Sequence, residues 1–264
     1  VAPYFYLDDM DWLDKNIQLL EKAVEQKGDK KMFAEIVISK RFIDNAVGGQ
    51  RQDLDRIIEA YQQSSADGFL VWIDGYSEHE ASALSLSQYA DFLKKIRNST
   101  DKKIYALYGS YFSILLTHSS LGILDGVCHG LEYGESRLVV PVGGGIPTVK
   151  YYFYPLHKRV QEVEMFGFLK QPENAIDFCR DVCDCGVCKS LMDKPGFLER
   201  FTENFGNTVR KLVKGRSGLV TRNFPSREAK DNSLKHYLFM KNKEFKEVNQ
   251  KDLAALLEDL LKNA

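Results

Sequence analysis

Apolar residues recur at helical spacing through DWLDKNIQLLEKAVEQK (residues 11–27), and Gly28 stands where such a helix would stop. The pattern then changes to a β-branched and aromatic run, MFAEIVISKRF (32–42), which predicts a strand. A helical period returns in QDLDRIIEAYQQSSADG (52–68), followed by a strand-like FLVWIDG (69–75). LSQYADFLKKIRNST (86–100) predicts a helix with a basic last turn, and KKIYALYG (102–109) a strand. SYFSILLTHSS (110–120) reads as a helix and GILDGVCHG (122–130) as another short strand. The strand segments are near-continuous apolar runs, as parallel strands covered on both faces are. The expected class is α/β, either a doubly wound sheet or a (β/α) barrel. No internal repeat or low-complexity tract interrupts the pattern.

Composition adds bounds to this picture. With 264 residues, 44% hydrophobic and 28% charged, the chain has room for one large domain or one and a half. No stretch approaches the roughly 20 apolar residues of a membrane helix, so no membrane partner is expected. The opening VAPYFYLDDMDWLDKN is acidic and lacks the basic region of a signal peptide, and the five cysteines are odd in number and clustered, so a cytoplasmic location is expected. The net charge of −1 hides an asymmetry: Lys189 to Lys251 holds 15 Lys and Arg against 7 Asp and Glu, leaving 21 against 30 elsewhere. A basic C-terminal third can face a polyanion or simply be a solvated helical surface.

Chemistry in parallel α/β folds collects at the carboxyl ends of strands. Here several strands run into polar or glycine residues: WIDGYSEHE, LYGSYFS and LDGVCHGLEYGESR. Asp74, Glu78 and Glu80 cluster after one of them, where carboxylates can bind the hydrogen-bonding edge of a base, act as acid and base, or simply form a solvated loop. Tyr108, Tyr111 and Tyr133 are candidates for stacking on a base, with core packing as the alternative. The stretch VPVGGGIPTVKYYFYPLHKR (140–159) carries Gly143, Gly144 and Gly145, which let backbone approach a ligand or make a tight turn. It lacks both the phosphate-loop lysine and the spaced dinucleotide fingerprint.

The most specific signal is CRDVCDCGVCKS (179–190). Cys183, Cys185 and Cys188 form C-x-C-x-x-C; three thiolates this close do not pair as disulfides, but they fit one side of a tetrahedral zinc. The fourth ligand is Cys179 or His236, the one histidine that follows the cluster. One structural Zn2+ per chain is expected, with a redox-reactive or merely buried cysteine group as the alternative.

CDCGVC followed by a helix bearing KHYLFMKNKEF resembles the zinc subdomain of the tRNA-guanine transglycosylases, the queuine and archaeosine tRNA-ribosyltransferase superfamily. The resemblance implies that His236 completes the zinc site. It also implies a (β/α)8 barrel of which residues 1–170 are the second half, with residues 171–264 as the zinc-binding subdomain. The segment ending in WIDG looks like the family's base-recognition strand, which puts Asp74, Gly75 and Glu78 at the base. YALYGSYFSILLTHSSLGILDGVCHGLEYGESR looks like the last barrel unit, in which the catalytic aspartate ends the final strand. On that alignment Asp125 is the nucleophile, with a turn or helix-capping aspartate as the alternative, while His129, close behind it in sequence, is expected to orient the site or to be a structural histidine.

Three differences from the family stand out. Residues 1–30 look like its fourth strand and helix, so the barrel is expected to be completed by a homodimer or heterodimer partner or by a further N-terminal half, which would also carry the second catalytic aspartate. Cys188 and His236 are much farther apart than in the family, with the basic NTVRKLVKGRSGLVTRNFPSR (207–227) in between. WIDGYSEHE replaces a Gly-Gly strand end.

The implied reaction cleaves the N-glycosidic bond of a nucleobase through a covalent aspartate–sugar intermediate, as retaining glycosidases do. Capture by a free nucleobase gives base exchange in tRNA or DNA; capture by water gives a DNA glycosylase, a chemistry suited to phage defence. The remaining expectation is a non-catalytic nucleic-acid-docking subunit. In each, Arg210, Lys211, Lys214 and Arg216 would grip phosphates.

Overall fold

The structure, a computed structural model, describes residues 1–44, 49–129, 135–140, 148–170, 183–192, 196–215 and 218–263. Two compact units divide at Val142/Gly143.

The first unit is a parallel sheet with helices between its strands. Helix α1 (Leu13–Gln26) ends just before Gly28, whose φ of +57° is the left-handed conformation that glycine adopts at little cost. Strand β1 (Phe33–Ser39) is followed by the short α2 (Arg41–Asp44) and by α3 (Gly49–Gln62). Then come β2 (Gly68–Asp74), α4 (Ala83–Ser99), β3 (Lys103–Leu107), α5 (Tyr111–Leu115) and β4 (Gly126–Cys128). The strands lie in sequence order, β1-β2-β3-β4, and all three pairings are parallel. Before α1, Leu7 forms a parallel bridge with Ile38, so the opening residues run alongside β1.

The unbroken apolar runs have the cause expected of them. In β1 and β2, Ile36, Val37, Ile38, Val71, Trp72 and Ile73 are all buried, although successive residues point to opposite faces. One core joins Ile36, Ile38, Val71 and Ile73 to Leu20, Ile57, Phe92, Leu93 and Ile96 of the helices. The helix expected over 110–120 stops at Leu115, and the strand expected over 122–130 is three residues long. The sequential parallel order is that of a mixed α/β unit; a closed eight-stranded barrel is not among the described elements.

The second unit begins with an antiparallel pair, β5 (Lys150–Phe153) and β6 (Lys158–Gln161), turning through His157 at φ 49°, and continues into α6 (Glu162–Leu169). These elements bury Val149, Tyr151, Tyr152, Met165 and Leu169 in the same core as the cysteines, so the boundary falls at 142/143 and not at the expected 170/171. Helices α7 (Gly186–Met192) and α8 (Phe197–Phe201) follow, with a π turn over Thr202–Gly206. An antiparallel ribbon of β7 (Thr208–Gly215) and β8 (Gly218–Pro225) leads directly into α9 (Arg227–Gln250), and α10 (Leu253–Asn263) closes the chain. The Ser226 hydroxyl caps α9 by accepting from the Ala229 N–H at 3.0 Å. Along α9 the buried residues Ala229, Asn232, Ser233, His236, Tyr237, Met240, Lys241, Glu244 and Val248 recur every three or four positions, which turns His236 inward.

Candidate metal centre and carboxyl-edge site

Cys183 and Cys185 lie immediately before α7, and Cys188 sits in its first turn, so a six-residue motif delivers three sulfurs to one point. Across from them, His236 Nδ1 is 3.3 Å from Cys183 Sγ and 3.5 Å from both Cys185 Sγ and Cys188 Sγ. All four residues are buried, and their ligand atoms lie within 4.8 Å of one another. Tetrahedral coordination with metal–sulfur bonds of about 2.3 Å and a metal–nitrogen bond of about 2.0 Å requires S···N separations of about 3.5 Å. The observed spacings fit one such ion.

The surroundings fix the imidazole for that role. His236 Nε2–H donates to the Tyr152 carbonyl at 2.9 Å, which keeps the proton on Nε2 and leaves Nδ1 as the ligand atom. The Tyr151 ring stacks on the imidazole at 4.1 Å, and Phe205 meets it edge-on. The Cys188 N–H points at Cys185 Sγ at 3.3 Å, a contact that favours a thiolate. Without a cation the sulfurs compete. Hydrogen bonds from Cys183 and Cys188 pull the Cys185 thiol down, while the Cys185 contact pushes Cys183 up to about 12 and the Cys183 contact raises Cys188. A cation relieves this competition by favouring all three thiolates. Cys179, the alternative ligand, lies outside the described residues, and Cys183, Cys185, Cys188 and His236 complete a four-ligand set without it.

In the first unit, several of the polar residues singled out in the sequence gather at the carboxyl edge of the sheet. Asp74 ends β2 and accepts from the Tyr6 hydroxyl at 2.9 Å and the Val139 N–H at 2.6 Å. Gly75, at φ 63°, donates to the Arg137 carbonyl; a side chain there would meet Leu138 as well as strained backbone. Tyr108 follows β3 at φ 59°, an uncommon conformation for a residue with a side chain, and its hydroxyl accepts from Arg137 at 2.7 Å. His129 follows β4, with Nδ1 2.6 Å from the Gly109 carbonyl.

Glu78 is buried, and burial pushes its carboxyl up despite hydrogen bonds from the hydroxyl and N–H of Ser113. It holds the start of α5 in place. Glu80 is exposed, and Tyr111 packs in the interior. Beside Glu78 is a group that the sequence reading missed: His79 Nε2 lies 2.7 Å from Ser110 Oγ and 2.9 Å from Glu135 Oε2. The one available signal was the location of these residues in the three polar strand-end segments. Both partners meet the same ring nitrogen, so the group is not a relay through the imidazole. Gly143, Gly144, Gly145, Tyr133 and Arg216 lie outside the described residues.

Asp125 is elsewhere. It was expected at the end of a strand beside His129; instead it precedes β4, and its N–H donates to the Ile104 carbonyl near the start of β3. Because β4 is parallel to β3, this is the amino edge of the sheet. His129 is four residues on, roughly 13 Å along an extended strand. The Asp125 carboxylate accepts from the Arg97 guanidinium, from Lys103 Nζ at 2.6 Å and from the Ile104 N–H at 2.9 Å. Burial raises its pKa, but the hydrogen bonds from Lys103, Ile104 and Arg97 outweigh this and hold it below the ordinary 3.8.

The cations sought in the sequence stand on the β7–β8 ribbon. Arg210, Lys211 and Lys214 of β7 and Arg222 of β8 are all exposed. Residues 207–225 contain no acidic side chain. Lys211 and Arg222 are directly opposed across the ribbon, a like-charge pairing that costs stability unless an anion lies nearby. Among the described residues, no helix is long and apolar enough to cross a membrane. Comparison of the chain with protein-family models, with curated proteins and with solved structures finds no match.

Proposed function

We propose that the chain is a nucleic-acid-binding protein whose second unit, stapled by one zinc ion, holds the β7–β8 ribbon against phosphates. The observation that carries this reading is the ribbon itself: four exposed cations, no acidic residue and a like-charge pair facing across its strands. The ribbon's base is tied to the metal centre. Ser226, which follows β8, donates its N–H to the Asn207 carbonyl at 2.8 Å and caps the helix that carries His236. Three thiolates and one imidazole fill a tetrahedral zinc and leave no open position, so its role is structural. Zinc bound there supplies folding energy and no catalytic water.

The resemblance to the tRNA-guanine transglycosylases brings the rest of the reading with it: a unit derived from a (β/α)8 barrel, and nucleic acid, tRNA or DNA, as the partner. Within that frame the docking subunit is better supported than the enzyme. The carboxylate expected to attack the sugar is at the amino edge of the sheet and engaged by two cations and a backbone amide.

A second reading, cleavage of an N-glycosidic bond with base exchange or base release, is favoured by a different observation. Asp74 ends β2 at the carboxyl edge, near strand ends that also present Tyr108 and His129. Fluorescence anisotropy with tRNA and with duplex DNA, followed by assays for released base and abasic sites, separates the two. The docking reading predicts binding without base release. Base release lost in Asp74→Asn but kept in Asp125→Asn would favour the enzyme, and no binding to either nucleic acid would refute both.

A further inference from the structure

The two faces of the ribbon differ. Side chains alternate along a strand, so the register places Arg210, Leu212 and Lys214 of β7 on one face with Leu219, Thr221 and Asn223 of β8. All six are exposed. On the other face, Val213, Val220 and Phe224 are partly covered, and Lys211 lies over the Phe224 ring at 5.7 Å. The first face therefore carries an unburied apolar ridge: Leu212 and Leu219 are diagonal neighbours, 64% and 69% exposed. Leucines that add nothing to a core, flanked by cations, call for a partner that is apolar in the middle and anionic at its margins.

The ribbon's two-stranded shape and the mixed chemistry of this face narrow that partner. The major groove of B-form DNA is about 12 Å wide, admits a two-stranded ribbon, and is walled by phosphates on both sides. Its floor presents thymine methyl groups for apolar contact and base edges for Asn and Thr side chains. The major groove of A-form RNA is deep and narrow and cannot be read in this way.

We infer that the β7–β8 ribbon lies in the major groove of double-stranded B-form DNA. Arg210 and Lys214 reach the flanking phosphates, and Leu212, Leu219, Thr221 and Asn223 face the base edges. The inference rests on the nucleic-acid reading above and narrows it to duplex DNA. Lys211 and Arg222, on the reverse face, add a general attraction for polyanions.

The test measures affinity of the whole, metal-loaded chain for a DNA duplex and for an RNA duplex of the same sequence, at one salt concentration. The wild type should prefer DNA by on the order of tenfold or more. Leu212→Ser with Leu219→Ser should erase most of that preference. Lys211→Gln with Arg222→Gln should instead weaken DNA and RNA alike. Retained zinc content serves as the check that both variants fold. Equal affinity of the wild type for DNA and RNA, or a preference unchanged in the leucine variant, overturns the groove assignment and leaves general nucleic-acid binding intact. Failure to bind any nucleic acid overturns the broader reading and this one with it.

Discussion

Replacing Asp125 tests whether its carboxylate holds the sheet together or does chemistry. The side chain is 17% exposed and accepts three charge-assisted hydrogen bonds. Lys103 is 62% exposed, so its pair is screened and contributes little. Arg97 and the Ile104 N–H are more sheltered; a hydrogen bond to a charged group contributes about 1.5–3 kcal/mol, and removing the acceptor strands both donors. Asp125→Ala should therefore destabilise the first unit by about 2–3 kcal/mol, and Asp125→Asn, which keeps one acceptor oxygen, by about half as much. For a unit of this size that is a fall of roughly 6–10 °C in melting temperature for the alanine variant. The sign of the pH dependence follows from the depressed pKa. The contribution is present above pH 3.8, the carboxyl's ordinary value, and disappears as the pH falls through the lower folded-state value. Thermal melts of wild type and variants between pH 3 and pH 7 provide the assay, and the gap between them should narrow toward the acid end. An alanine variant as stable as the wild type that has lost a base-releasing activity would refute the structural assignment.

Other expectations follow from the same packing. Cys185→Ser and His236→Ala should each abolish zinc uptake, read by elemental analysis, while Cys179→Ser keeps one ion per chain; zinc loss in the Cys179 variant would mean that the ligand set is misassigned. Gly68→Ala should cost about 1–3 kcal/mol by chemical denaturation, because a Cβ there would lie 2.7 Å from Phe33 Cδ1 and 2.9 Å from the Lys103 carbonyl oxygen. Glu244→Ala should cost about 3–5 kcal/mol: fully buried Glu244 accepts from Tyr152, from Lys241 at 3.1 Å and from His157 at 2.7 Å, and its loss takes the carboxylate partner from the buried Lys241 charge. A near-neutral result would mean that water reaches that cluster.

The helices and strands of the first unit were legible because each signal is local. Helical period, β-branched runs and Gly28 sufficed for α1, β1, β2, α4 and β3. The cysteine motif was legible for the same reason, since three ligands fall within six residues, and His236 was the one histidine after them. Asp125 was placed at the wrong end of its strand because GILDGVCHG holds apolar residues on both sides of the aspartate; only the pairing with β3 fixes where the ladder begins. The ion pair with Arg97 spans 28 positions and left no trace in local pattern. The same holds for His79, Ser110 and Glu135, which meet only once β2, β3 and β4 are aligned. The basic stretch was visible as charge, but its hairpin register, and hence the split between a leucine face and a Lys211–Arg222 face, was not.

The salt dependence of binding tests the central claim, that the ribbon grips nucleic acid through its cations. Arg210 and Lys214, each displacing a counterion at a phosphate, contribute about −1.8 to the slope of log affinity against log salt on B-form DNA, and Lys211 and Arg222 on the reverse face add a smaller, longer-range share. Anisotropy titrations of the wild type over a range of salt concentrations should give at least that slope. Replacing all four with Gln should flatten it by about 2–4 and weaken binding to every sequence alike. A slope and an affinity unchanged by the fourfold substitution would contradict the account.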